Sequence, residues 1–152
     1  SWRSPDLLTK QKKMLEENSK IKIRKCRQHW LRFSWKNTWE SQLKAGIECD
    51  STLMFNDRSG FRNSTAGSWN PWNEKKGEAY KLKCTASVLM DSHLYDYDNI
   101  GCLERNGLIE EWINECCLVN GECSLLWHPH TLTKDYEWED GFKYLLQKIS
   151  KN

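Results

Sequence analysis

Apolar and polar positions fall into blocks along the chain, and the period changes from block to block. Leu7, Leu8, Met14 and Leu15 recur at helical spacing behind Ser4-Pro5. This predicts a helix with Ser4 as N-cap, Pro5 in its first position and an end near Asn18. Residues 21–24 (IKIR) read as a short strand. A second helix starts at Asn37, with Glu40 at capping-box spacing and Trp39 and Leu43 one turn apart; Gly46 stops it. Residues 47–55 (IECDSTLMF) return as a strand. The stretch 56–79 is a long loop holding Gly60, Gly67, Pro71 and Gly77, with tryptophans flanking Asn70-Pro71. So long a loop is usually functional or disordered, and its aromatics favour order. Residues 84–90 (CTASVLM) read as a buried strand. Leu108, Ile109, Trp112, Ile113 and Cys116 carry the clearest helical period, stopped by Asn120-Gly121. Residues 122–127 (ECSLLW) form another strand, and a last helix from about Trp138 carries Phe142, Leu145, Leu146 and Ile149.

Strands alternating with helices imply parallel pairing in an α/β fold of one domain, residues 1–152. About four strands can close an open three-layer sheet but not a barrel, which needs about eight. In such folds the chemistry sits where strands give way to loops. Three polar loops follow strands here: 24–36, 50–79 and 128–137.

Composition sharpens the picture. Of 152 residues, 38% are hydrophobic and 12% aromatic, enough to exclude wholesale disorder. No apolar run is long enough for a transmembrane helix, and the first twenty residues hold no signal-peptide core. The net charge is +2, but residues 1–40 carry eleven Lys/Arg against four Asp/Glu, which leaves −5 for the rest. The basic arm could touch phosphate or an acidic glycan; the plainer reading is a solvated amphipathic helix and loop. No nucleic-acid or membrane partner is expected. Seven cysteines, with Cys116 and Cys117 adjacent, do not make a disulfide framework. They read as reduced thiols of a cytoplasm-like compartment. A zinc site from Cys116, Cys123, His128 and His130 is conceivable, although no C-x-x-C is present.

Three clusters could carry chemistry. Arg27 to Phe33 (RQHWLRF) puts two arginines and a histidine after a short strand, and an arginine can hold a carboxylate in a fixed geometry; the alternative is an exposed basic loop. Asp50 lies between apolar neighbours and needs a partner, unless it caps the strand end. In Leu125-Leu126-Trp127-His128-Pro129-His130 an apolar strand runs into two histidines. His128 sits where an α/β site belongs and suits general acid or base work; His128 and His130 could also share a metal, or be structural. Asp91 and His93, after the strand 84–90, give a similar but weaker signal.

In this order the clusters resemble the polysaccharide deacetylases with a NodB-homology domain, in a divergent bacterial branch. That branch carries stretches similar to R-Q-H-Y-L-R-F, Y-D-S-T-L-G-F, G-F-R and a late L-W-H. The chain has RQHWLRF at 27–33, CDSTLMFNDRSGFR at 49–62, VLMDSHL at 88–94 and LLWHPHTL at 125–132. The resemblance implies that Arg27 orients a catalytic aspartate, that Asp50 holds that arginine, and that His128 is general acid toward the leaving amine or stabilises the tetrahedral intermediate. It implies a substrate or structural role for Arg62, with Trp30 and Trp127 lining a groove for sugar rings. The substrate would be an N-acetylated polysaccharide or oligosaccharide.

The family's reaction uses water on a zinc-like divalent metal, held by an aspartate and two histidines of its first two motifs. Those motifs would lie before Ser1, and Ser1-Trp2-Arg3-Ser4 resembles the text just after the metal histidine. The R-x-P motif is also altered, by Gln28 and His29. The chain is therefore expected to be a partial (β/α) barrel missing its first strands. It would not fully ligate a metal, and it would be inactive unless an N-terminal segment or a second copy completes it. A non-catalytic carbohydrate-binding or structural remnant of the same fold is the alternative; nine tryptophans and the loop 63–73 suit sugar stacking.

Overall fold

A computed structural model describes residues 2–97 and 100–150. The protein is mixed α/β, and its sheet pairing is mostly parallel. Its contacts divide it into two compact units, Ser1–Leu53 with Ser68–Thr85, and Met54–Gly67 with Ala86–Asn152.

The first unit opens with helix α1 (Pro5–Ser19). The Ser4 hydroxyl accepts from the Leu7 N–H at 3.3 Å, and Lys20, in the left-handed region at φ 58°, ends the helix. Only Leu8 of its apolar stripe is buried; Leu7, Met14 and Leu15 stay exposed. Strand β1 is Lys25–Cys26, displaced from the expected 21–24. Helix α2 (Thr38–Lys44) begins after Asn37, but the Asn37 side chain makes no cap bond. Instead the Thr38 hydroxyl accepts from the Ser34 N–H at 2.8 Å. Strand β2 is only Cys49–Asp50: the Ser51 N–H still reaches the Cys26 carbonyl at 3.0 Å, but Thr52 turns its N–H and hydroxyl onto the Asp50 carboxylate.

Strand β3 (Ser68–Trp69) and the hairpin β4 (Trp72–Asn73) and β5 (Glu78–Ala79) lie inside the stretch expected to be loop. Strand β6 (Lys83–Met90) is buried at every residue but Lys83, as suits a parallel strand covered on both faces. It contributes Lys83–Thr85 to this unit. β1 runs parallel to β2 and β2 parallel to β6, with Asp50 opposite Cys84, while β3 is antiparallel to β6. Trp39, Ile47, Leu82 and Cys84 form the core.

In the second unit Ala86–Met90 of β6 pairs in parallel with β7 (Cys123–Leu126). The register shifts between Ser87 and Leu89, and the Val88 carbonyl accepts from the Gly60 N–H at 2.8 Å instead. A π-helical turn, His93–Tyr97, follows β6. Helices α3 (Cys102–Leu118) and α4 (Glu139–Ile149) pack on each other. They close a core of Val88, Leu89, Leu94, Ile109, Ile113 and Leu145. Asn120 takes φ 49° after α3, and the Gly121 N–H reaches back to the Cys116 carbonyl at 2.8 Å, the expected stop. All seven cysteines are free. Among the described residues no helix is long and apolar enough to cross a membrane.

Candidate functional site

Met90 and Leu126, the last residues of β6 and β7, are paired in register. Parallel strands that end together send their exits to one edge, where α/β sites are built. Asp91 leaves β6 at once, and His128 leaves β7 one residue later. A short 3₁₀ turn, Pro129–Leu132, then brings Thr131 back toward His128.

These three residues form one hydrogen-bonded cluster. Asp91 is wholly buried. Its Oδ1 accepts from the Ser92 N–H at 2.9 Å and faces His128 Nδ1 at 2.7 Å. Its Oδ2 accepts from the His128 N–H at 2.9 Å and the Thr131 hydroxyl at 2.8 Å. A buried carboxylate is tolerable when its lone pairs are met, and here four donors meet them. An ionised carboxylate only accepts, so His128 carries its proton on Nδ1, and in the neutral ring Nε2 holds the lone pair. The His128 side chain keeps 38% of its exposure. The result is a histidine fixed in tautomer and direction by a buried acid, with a partly open ring.

Asp91, a weak signal in the sequence, is thus the residue that organises the site. Thr131 carries no sequence signal beyond its place three residues after His128. His93 does not join. It is fully buried, takes the Met90 N–H on Nδ1 at 3.2 Å, and Nε2 faces the Phe55 carbonyl at 3.2 Å. His130 is exposed, its ring 5.6 Å from that of His128 and edge-on to Tyr136. Trp127 packs its indole against Tyr95 and Phe142 beside the core, and its buried Nε1 has no partner. Arg62 is exposed and donates to the Met54 carbonyl at 3.3 Å.

The first unit holds the other expected residues. Arg27 Nε donates to the Ser51 carbonyl at 3.1 Å and to its hydroxyl at 3.2 Å. Asp50 is 1% exposed and accepts from Gln42 Nε2 at 2.6 Å, the Thr52 hydroxyl at 2.5 Å and the Thr52 N–H at 3.2 Å. Burial nevertheless pushes the Asp50 carboxyl above its ordinary value, with the Thr52 and Gln42 bonds opposing. Burial lowers Arg27, and the charge of Asp50 partly offsets that. Burial and the Asp50 charge together push the Cys26 thiol up to about 11.

Just beyond Arg27 the backbone is strained: Trp30 and Leu31 take φ values of 59° and 49°, where bulky side chains are rarely found. Leu31 is buried and Trp30 is 72% exposed. Trp30, Arg27 and His29 line an apolar groove of about 780 Å³ with Leu8, Met14 and Leu15 of α1.

Among the described residues no three His, Cys, Asp or Glu side chains gather to hold a metal ion, so Cys116, Cys123, His128 and His130 do not converge. The donors present do not fit the zinc-like metal of the resembled family. No protein-family model matches the chain, and no curated protein and no solved structure matches it.

Proposed function

We propose that this chain is the acid–base portion of a polysaccharide deacetylase-like hydrolase, with a partial (β/α) barrel of that type. The observation that carries the reading is the Asp91–His128 pair at the paired ends of β6 and β7. Its supports are the ordered motifs of the sequence and the mostly parallel pairing.

In hydrolysis of an N-acetyl group, water gives a proton to the catalytic aspartate of the resembled family as it adds to the amide carbonyl, the C–N bond breaks, and the departing nitrogen needs a proton. Protonated His128 delivers it from Nε2 while Asp91 holds Nδ1–H, and the products are acetate and the free amine. A positioned general acid of this kind typically contributes about 10²–10⁴ in rate. Arg27 would orient the catalytic aspartate, Asp50 would hold Arg27, and Arg62, Trp30 and Trp127 would meet the glycan. A preceding segment or a second copy would complete the barrel and hold the metal.

The chain alone should release no appreciable acetate from an N-acetylated oligosaccharide. The chain extended by its preceding coding sequence and supplied with Zn²⁺ should do so. Turnover by the 152-residue chain alone, or none by the extended protein, would overturn the proposal. The exposed Trp30 beside an apolar groove supports a second reading, a carbohydrate-binding remnant of the same fold. In that case the extended protein binds the glycan and leaves it intact.

A further inference from the structure

The resemblance places Trp30 of the first unit at a glycan groove and gives Trp35 no role, while the loop 63–73, which holds Trp72, suits sugar stacking. Phe33, Trp35 and Trp39 meet edge-on, with ring centroids 5.0–5.3 Å apart, and Tyr80 tilts against Trp39 at 6.5 Å. Packing of this kind holds rings still. Trp39 is buried, yet Trp35 is 62% exposed. Its counterpart is Trp72 on the β4–β5 hairpin, 61% exposed. That hairpin is also fixed. Trp72 lies in register with Ala79, and the Tyr80 N–H donates to the Pro71 carbonyl at 2.8 Å. Asn73 is buried, and its side-chain oxygen accepts from the Lys75 and Lys76 N–H groups.

Trp35 and Trp72 both line one cleft of about 390 Å³, whose remaining lining includes Lys36, Glu74 and Lys75. Two large indoles exposed on rigid supports cost solvation without adding to the core. A cleft with flat aromatic faces and both donors and an acceptor at its polar positions matches a pyranose ring. Such a ring offers an apolar C–H face to an indole and hydroxyls that both give and take hydrogen bonds. The volume lies within the range of small-ligand sites. A proline-rich peptide would also use exposed aromatics, but it presents carbonyl acceptors and has no use for Glu74.

We propose that this cleft is a carbohydrate-binding subsite, in which Trp35 and Trp72 stack on sugar rings of a glycan chain. The choice of a glycan rests on the function proposed above; the subsite itself uses none of the residues assigned to the chemistry. Three tetrasaccharides serve as probes: chitotetraose, its fully N-deacetylated form and cellotetraose. Binding is followed by calorimetry and by the tryptophan indole ¹H–¹⁵N signals. The expected result is that at least one binds, that Trp72→Ala and Trp35→Ala each weaken it about tenfold, and that Trp72→Phe retains most of it. Trp72 is an exposed side chain, so Trp72→Ala should leave the circular dichroism spectrum unchanged. Binding of cellotetraose with loss on Trp72→Ala upholds the subsite even if the N-acetyl reading fails. Binding of no probe, binding indifferent to both alanine variants, or capture of a proline-rich peptide alone would overturn it.

Discussion

Asp91→Ala tests how much of the local structure hangs on one carboxylate. The substitution removes the acceptor of four donors. Two of these have alternatives. The Thr131 hydroxyl already lies 2.7 Å from the His128 carbonyl, and the partly exposed His128 ring can turn to water. The backbone N–H groups of Ser92 and His128 cannot turn away. A buried donor left without a partner costs about 1–3 kcal/mol; Ser92 and His128 are only half-buried, so the two together cost about 1–4 kcal/mol. Removing a buried charge returns part of this, which leaves an expected loss of about 1–3 kcal/mol. Against a total of about 5–15 kcal/mol for a domain, that is a large fraction. Asp91→Asn keeps one acceptor and turns a donor amide toward the other pair. It should cost less, and its amide faces either the His128 ring or the His128 N–H. Urea unfolding gives the loss, and amide exchange at Ser92 and His128 shows whether it is local. Ring ¹⁵N shifts give the tautomer, with the proton on Nδ1 in the parent. If both variants lie within about 0.5 kcal/mol of the parent and exchange at the two amides is unchanged, the cluster does not carry the weight assigned to it.

Three further predictions follow from the same packing. Asp50 sits above its ordinary value of 3.8, so its folded form favours the proton. Its contribution to stability is whole below pH 3.8 and is lost as pH rises toward the folded value. Urea midpoints should therefore show Asp50→Asn gaining on the parent as pH rises from 4, and a difference that stays flat with pH would refute this. Cys102 and Cys117 are exposed, whereas burial holds Cys26 at about 11 and Cys123 at about 12. Iodoacetamide at pH 8 should accordingly mark the exposed pair first by peptide mass spectrometry; early marking of Cys26 or Cys123 would contradict the packing. Gly121→Ala would bring a Cβ within 2.0 Å of the Ala66 carbonyl oxygen, a backbone atom that also holds the Glu122 N–H. It should lower stability by at least about 1–3 kcal/mol in urea unfolding, and a neutral result would mean the Asn120–Gly121 turn adapts freely.

The parts of the fold legible in the sequence are those with a period or a punctuating residue. Ser4-Pro5 opened α1, the run 84–90 lay inside β6, and Asn120-Gly121 closed α3, each because one local rule dominated. The two-residue strands were not legible. Lys25–Cys26 and Ser68–Trp69 are too short to show alternation, and only their neighbours in the sheet make them strands. IECDSTLMF is apolar enough to read as one strand, yet β2 stops at Asp50, and the bonds from Thr52 to Asp50 just beyond it are local side-chain chemistry. For the site, His128 was visible as a histidine at the end of an apolar strand. Asp91 stood at the end of another, but its pairing with His128 spans 37 positions and follows from parallel register, which one sequence does not display. Asp50 stands out in the sequence as a carboxylate between apolar neighbours, and Arg27 as an arginine able to hold one. The bonds they make to Ser51, Thr52 and Gln42 are to common polar residues that carry no signal of their own.

In the proposed reaction His128, presented by Asp91, moves the proton in hydrolysis of an N-acetyl group. The direct measurement is acetate release from an N-acetylated oligosaccharide by the extended protein, comparing the parent with His128→Ala and Asp91→Asn. His128→Ala should lower kcat by about 10²–10⁴ with little change in KM, and Asp91→Asn should lower it in the same direction. Undiminished kcat in His128→Ala would contradict it.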